Sequence, residues 1–365
     1  MVGIRGFRGI GKTTMLLQYC KEHYGMADEA LYLSLDNIYF SANKLLDFVD
    51  DFVAVGGKHL FLDEVHKYPD WAMELKNIYD KHPDIKITFT ASSLLNIINS
   101  QADLSRRALV FDMQGLSFRE YLNFVLNSSF DTIDLDTLLQ NHIDIGFEIC
   151  NKIKPLKYFK DYLTTGYYPF FKEDLLFYHK RIGAIINMII DVEFPLLKNV
   201  AVSKLNKIKQ LLFIIAQSTP FKPNISKLAR KIGITRNTLL EYINYLAETN
   251  IINRLYMEAQ GISLLQKPDK LYLDNTNLAY ALTFDKTDMG NIRETFFLNQ
   301  LKQGHTITYP KKGDFLVDNK FLFEVGGKNK STKQILNIDK AFIAADNMEI
   351  GYKNKIPLWL FGFLY

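Results

Sequence analysis

Cysteine is nearly missing from this chain: Cys20 and Cys150 are the only two in 365 residues. They lie far apart and neither has the spacing of a metal ligand pair, which suits a reducing cytoplasm. Long hydrophobic runs are missing too. The longest apolar stretch, near Ile182 to Leu197, is broken by Asp191 and Glu193. No basic leader precedes an apolar segment, so neither a membrane span nor a signal peptide is expected, and the expected compartment is the cytoplasm. There is no internal repeat and no Ser/Gly-rich or Pro-rich linker. Neither sign of charge dominates, since 44 Lys and Arg against 40 Asp and Glu leave +4. That balance permits nucleic-acid binding without arguing for it, so any basic surface has to be local. Hydrophobic content of 48% with 23% charged residues reads as globular, and the length allows two to four domains.

What is present starts at once. Gly6 to Thr14 reads GFRGIGKTT, the spacing G-x-x-x-x-G-K-T. Gly6, Gly9 and Gly11 stand where the chain is expected to turn with positive φ and bring bare N–H groups against an anion. Lys12 can reach β- and γ-phosphates, and the Thr13 hydroxyl can hold Mg²⁺. Val2 and Ile4 alternate like a strand end, and a helix begins at Thr14, so Gly6, Phe7, Arg8, Gly9, Ile10, Gly11, Lys12, Thr13 and Thr14 form the expected phosphate cradle. A second motif, KHLFLDEV at Lys58–Val65, is an apolar run ending in two carboxylates. Asp63 would hold the Mg²⁺ water shell and Glu64 would polarise the attacking water, on a strand expected beside the P-loop strand. A third strand, Ile85–Thr90, ends in Ala91, Ser92 and Ser93, where Ser92 is placed to sense a γ-phosphate.

Along the chain, Val2–Arg5, Ala30–Leu35, His59–Leu62, Ile85–Thr90 and Leu109–Met113 are expected strands with helices between, a parallel α/β sheet covered on both faces. From 123 to 200 the pattern is helical and aromatic, with a break at Gly166–Pro169. Residues 201–261 read as a small helical module, and strands return across 262–365.

The P-loop, FLDEVHKYPDW (Phe61–Trp71), TASS (Thr90–Ser93) and GLSFREYL (Gly115–Leu122) together resemble a prokaryotic AAA+ ATPase family, over essentially the whole chain. The resemblance implies an AAA+ P-loop ATPase domain at 1–122, a helical lid at 123–200, a winged helix-turn-helix at 201–261 and a PD-(D/E)xK nuclease-like α/β domain at 262–365. It implies ATP and Mg²⁺ as cofactors, and a homo-oligomer or protein partner with DNA as a further candidate. Two features depart from the pattern: relatives usually carry a helical segment before the P-loop strand, and the usual TGSS is TASS here. Arg106 or Arg107 stands where relatives carry an arginine that reaches a neighbouring subunit's γ-phosphate, or else makes a solvated basic turn. Arg119 is expected to tie the ATPase to its lid.

Ile225–Leu246 has helix-turn-helix geometry of its own. Ile225, Leu228, Ala229 and Ile232 repeat at helical spacing, Gly233 turns the chain, and Thr235 caps a helix carrying Leu239, Leu240, Ile243 and Leu246. Arg236, Asn237, Thr238 and Glu241 would face outward, and Lys227, Arg230, Lys231 and Arg236 are the candidate DNA contacts. In the last segment Glu294, Asp314 and Glu324 occur in the order a two-metal nuclease of this fold needs, whereas the lysine expected at 326 is glycine and the first candidate is Lys328. Three readings follow. The leading one is an ATP-driven switch engaging DNA or a partner protein; the others are an ATP-regulated Mg²⁺ nuclease, and a protein-binding ATPase without nucleic acid.

Overall fold

Short apolar runs bounded by helix-period segments build the amino-terminal part of the protein. The computed structural model describes residues 1–91, 104, 106–195, 200–217, 222–257, 267–283, 288–331, 335 and 338–365. It falls into two units, Met1–Gly115 and Leu116–Tyr365. In the first unit, β1 (Val2–Arg5), α1 (Lys12–Tyr24), β2 (Ala30–Ser34), α2 (Leu45–Ala54), β3 (His59–Asp63), α3 (Trp71–Lys81), β4 (Lys86–Ala91) and β5 (Leu109–Asp112) follow one another. The strands are all parallel, in the order β2-β3-β4-β1-β5. The expected adjacency of the Asp63 strand and the P-loop strand is therefore corrected: β4 lies between β1 and β3. β4 sits centrally because both its edges find hydrogen-bond partners there.

Burial alternates as the two-sided sheet requires. Phe61 packs with Leu16 of α1 on one face, while Leu60 and Leu62 pack with Val49 of α2 and with Leu75 and Ile78 of α3 on the other. Successive strand residues point to opposite faces, so one buried strand feeds both cores.

The second unit opens with α4 (Phe118–Leu126), α5 (Leu135–Lys152), α6 (Pro155–Asp161), α7 (Tyr178–Met188) and α8 (Val202–Gln217). Ser117 and Glu120 form a capping box, each side chain accepting from the other residue's N–H. The Gly166–Pro169 break is held from inside. Asn277 accepts from the Tyr167 N–H at 2.9 Å and donates to Leu163 O at 2.9 Å, and Gly166 has no room for a Cβ beside Tyr162 and Tyr121. Arg119 donates to Tyr365 O and Phe130 O. These partners lie within the second unit, and they staple α4 to backbone carbonyls.

Next come α9 (Ile225–Ile232) and α10 (Arg236–Glu248), then β6 (Ile252–Leu255) and β7 (Lys270–Leu273), which pair antiparallel. Gly233 turns the chain at φ +75°, and the Thr235 side chain accepts from the Thr238 N–H. Because β7 pairs with β6, Lys270–Leu273 closes the sheet of this helical module. After α11 (Thr276–Thr283) and α12 (Met289–Leu301), the chain forms β8 (Ile307–Thr308), β9 (Phe315–Val317), β10 (Phe321–Gly326), β11 (Ala341–Ala345) and β12 (Lys355–Pro357). Their order is β12-β11-β10-β9-β8, antiparallel from β8 to β10 and parallel from β10 to β12.

Candidate functional site

The loop from β1 into α1 adopts the expected phosphate-cradle shape with one correction. Gly9 and Gly11 have φ of +85° and +102°. Gly6 is not among the positive-φ glycines; its constraint is steric, because a Cβ there would lie 2.4 Å from Met113 O. Gly11 caps α1, so the helix begins at the loop and its positive end faces it. Lys12 is buried, and its ammonium donates to Gly6 O at 3.0 Å and Phe7 O at 2.9 Å. Thr13 and Thr14 are exposed, Phe7 and Ile10 are buried, and Arg8 and Gly9 lie between these extremes.

Asp63, at the end of β3, is buried and surrounded by hydroxyls. Its carboxylate accepts from Thr13 at 2.7 Å, from Tyr32 at 2.9 Å and from Thr90. Burial, then the hydrogen bond to Asp63, pushes the Tyr32 phenol up, so it stays a donor at neutral pH. The Thr90 hydroxyl in turn accepts from the Glu64 N–H at 3.1 Å. Glu64 itself is left-handed, with φ 54° and ψ 38°, a strained conformation for a non-glycine residue that turns its side chain off the strand line. Its carboxylate lies 3.2 Å from the Arg8 guanidinium and 3.6 Å from the His66 ring. Burial, with cationic neighbours, lowers His66 to about 3, so at neutral pH it is an uncharged neighbour and Arg8 is the charged one.

The structure separates the two arginine candidates. Arg107 is engaged bidentately by Asp80 at 2.9 and 3.0 Å, whereas Arg106 is exposed. Ser92 lies outside the described residues. Tyr32 and Thr90 escaped the sequence reading; an alternating β2 and a polar final turn of β4 were the available signals.

In the second unit the candidate DNA contacts Lys227, Arg230, Lys231 and Arg236 are all exposed around α9 and the start of α10. The three carboxylates of the last segment do converge, though with lysines between them. Glu294 on α12 lies 3.3 Å from the Lys270 ammonium and accepts from the Tyr272 hydroxyl at 2.6 Å. Asp314 lies 3.9 Å from Lys270 and accepts from the Val325 N–H at 2.9 Å. Glu324, fully buried on β10, has the Lys330 ammonium 2.6 Å from one oxygen, and Lys330 also stands 3.8 Å from Asp314. Lys330 and Glu324 thus form an ion pair on the buried side of the sheet. Burial opposes charging Lys330, yet these carboxylates raise its pKa on balance. Burial raises Glu294.

The expected lysine is thus corrected. Lys328 contributes a backbone carbonyl to Lys355 at 2.8 Å, and Lys330 enters the cluster in its place. A turn closed by Lys330 N–H to Gly327 O folds the side chain back over Gly326, where a Cβ would meet Lys330 Cδ at 2.7 Å. Among the described residues no group of three or more His, Cys, Asp or Glu side chains is placed to hold a metal ion. As arranged, Glu294, Asp314 and Glu324 do not fit a divalent cation, because ammonium groups already occupy the space between them. Asp63 and Thr13 do fit one: a carboxylate and a hydroxyl 2.7 Å apart at the head of a phosphate cradle are hard oxygen donors of the kind Mg²⁺ takes.

Comparison with known proteins agrees with the amino-terminal geometry. Residues 1–122 match the family model of the AAA domain, and residues 156–288 match a domain of unknown function (DUF8612). An uncharacterized protein of Methanocaldococcus jannaschii, MJ1637, is 28% identical over 98% of this chain and 81% of its own. Among solved structures, a Walker-type ATPase of Pyrococcus abyssi has a TM-score of 0.42 at 12% identity, covering 77% of this chain and 90% of that one. AMPPCP-bound DnaA from Aquifex aeolicus has a TM-score of 0.26 at 13% identity, covering 68% and 81%. No helix among the described residues is long and apolar enough to cross a membrane. The AAA-domain match, joined to the phosphate cradle on β1 and the Asp63–Glu64 pair on β3, supports an AAA-type ATP-binding ATPase in the amino-terminal unit.

Proposed function

We propose that the protein is an ATP-hydrolysing switch whose carboxy-terminal unit engages DNA or a protein partner. The observation that carries the ATPase reading is the convergence of Lys12, Thr13, Asp63 and Glu64 at one end of a parallel sheet. Lys12 exchanges the Gly6 and Phe7 carbonyls for β- and γ-phosphate oxygens when ATP enters. Thr13 and Asp63 would hold Mg²⁺, which would supply charge neutralisation at the β- and γ-phosphates. Glu64 orients the attacking water, and Arg8 restrains its carboxylate beforehand. Arg107 is clamped by Asp80 whereas Arg106 is exposed, which suits Arg106 to reach a neighbouring chain's nucleotide.

The second unit supports the partner reading by geometry alone. The α8–α9–α10 helices followed by the β6–β7 pair have the layout of a winged helix, and the α12–β8–β9–β10 succession with Glu294, Asp314 and Glu324 that of a nuclease-like fold. Lysines held among those carboxylates favour a structural charge network over cleavage chemistry. Steady-state ATP hydrolysis against chain concentration, run beside a DNA-shift assay across salt, tests both halves. Hydrolysis that needs Glu64, and that rises per chain with concentration through Arg106, is the expected result. Wild-type hydrolysis by Glu64→Gln would remove the assigned mechanism.

A further inference from the structure

The second unit contains an open cleft of about 560 Å³ between the start of α9, the start of α10 and the outer end of the carboxy-terminal sheet. Lys222, Arg236 and Lys267 line it, with Ser226, Asp269 and Tyr309. The three cations face a single carboxylate in that lining, and Asp269 already accepts from the Met257 N–H at 2.7 Å. Of the lining cations, Lys222 is held by an aromatic ring that it shares with Lys270 behind the cleft. Lys222 stands 5.1 Å and Lys270 4.7 Å from the centre of the Tyr309 ring, a cation–π distance for each. Contact with Tyr309 raises Lys222, which therefore stays charged across the working pH range. Behind Tyr309, Lys270 bridges to Glu294 and Asp314, and both carboxylates help to keep Lys222 charged.

Size and lining together restrict what fits. A space of this volume takes a small ligand, and a duplex is read instead by a helix laid in its major groove. Three lining cations suit a phosphate, and the amides of Ile225 and Ser226 at the start of α9 add donors of the same kind. Met257, Pro223 and Pro268 give an apolar wall against which a base can lie. We propose that this cleft binds one phosphorylated nucleotide unit, either a free nucleotide or the unpaired end of a nucleic-acid strand, with its phosphate on Lys222, Lys267 and Arg236. The strand form rests on the reading that this unit engages nucleic acid; the free-nucleotide form does not.

The test uses the full chain carrying Lys12→Ala, which removes the P-loop as a competing nucleotide site. A short phosphorylated oligothymidylate and thymidine monophosphate are titrated across a salt series. Lys222→Gln with Lys267→Gln should weaken binding at least about tenfold and lower the strand's log–log salt slope by about 0.7, the value for the one phosphate seated there. Met257→Glu, which places a carboxylate in the apolar wall, should reproduce the loss, whereas Lys227→Gln with Arg230→Gln should not. Competition by the monophosphate at equal affinity identifies a free nucleotide, and binding of the strand alone identifies a strand end. Unchanged affinity and slope in the cleft variants overturn the proposal. If Lys227→Gln with Arg230→Gln abolishes binding instead, the nucleic-acid reading survives without the cleft; if neither ligand nor duplex binds, both fall.

Discussion

The protein holds two clusters of carboxylates and lysines, one in each unit, and they are wired differently. At the P-loop, the buried Asp63 is met by three hydroxyls and Lys12 by two carbonyls. The hydroxyls around Asp63 are neutral, so its charge keeps most of its pull for a cation that arrives later. In the carboxy-terminal sheet Glu294, Asp314 and Glu324 are matched directly by Lys270 and Lys330. There two ammonium groups stand among three carboxylates, so most of the negative charge is already matched within the fold. The contrast teaches that acid and lysine side chains brought together in space do not by themselves make a reactive site; the charge left unmatched decides.

The largest expected effect falls on the first cluster. Lys12→Ala should lose ATP binding, and Glu64→Gln should bind ATP while hydrolysing it about 10³-fold more slowly, because only the water-orienting group is gone. Nucleotide binding measured beside phosphate release separates the two. Equal hydrolysis by Glu64→Gln and wild type would break the comparison on the ATPase side.

The second prediction concerns stability. Lys330→Met strands a buried carboxylate on Glu324 and should destabilise the second unit by about 3 kcal/mol, with Glu324→Leu in the same chain restoring most of it. Lys328→Met should stay within about 0.5 kcal/mol. The protein's two tryptophans, Trp71 and Trp359, lie one in each unit. Urea unfolding followed in single-tryptophan variants therefore assigns the loss to a unit. A large effect from Lys328 and none from Lys330 would reverse the assignment.

A smaller effect is expected from pH, and in the other unit. Burial lowers His59 to about 4 and His66 to about 3. Between these values and the unfolded value near 6.5 the unfolded chain binds more protons, so stability falls as pH falls through that window. From pH 7 to pH 5 each ring should weaken the Trp71 transition by about 1–2 kcal/mol. A Trp71 transition that strengthens on acidification would contradict the neutral, buried state of both rings.

Local pattern made part of this legible. The strands of the first unit are apolar runs of the right length between helix-period segments, and the P-loop is contiguous, so both could be read from neighbouring residues. Strand order could not: β4 enters between β1 and β3 through pairings far apart in the chain. For the same reason Tyr32 and Thr90, from two different strands, were invisible as partners of Asp63. Around α9 and α10 helical spacing, Gly233 and Thr235 are all local, and the reading of that turn agrees with the structure. Lys330 shows the opposite case. A strand rule counts faces along a straight chain, whereas the turn at Gly327 sends a residue six positions beyond Glu324 back onto it.

Manganese binding tests the contrast between the two clusters most directly. Wild type, Asp63→Asn and Asp314→Asn are titrated with Mn²⁺ with and without a non-hydrolysable ATP analogue, following the free-ion paramagnetic signal. The account predicts one ion per chain, dependent on nucleotide, lost in Asp63→Asn and kept in Asp314→Asn. An ion bound tightly without nucleotide and lost in Asp314→Asn would show that the lysines yield to a metal, and the carboxy-terminal cluster would then be a metal site.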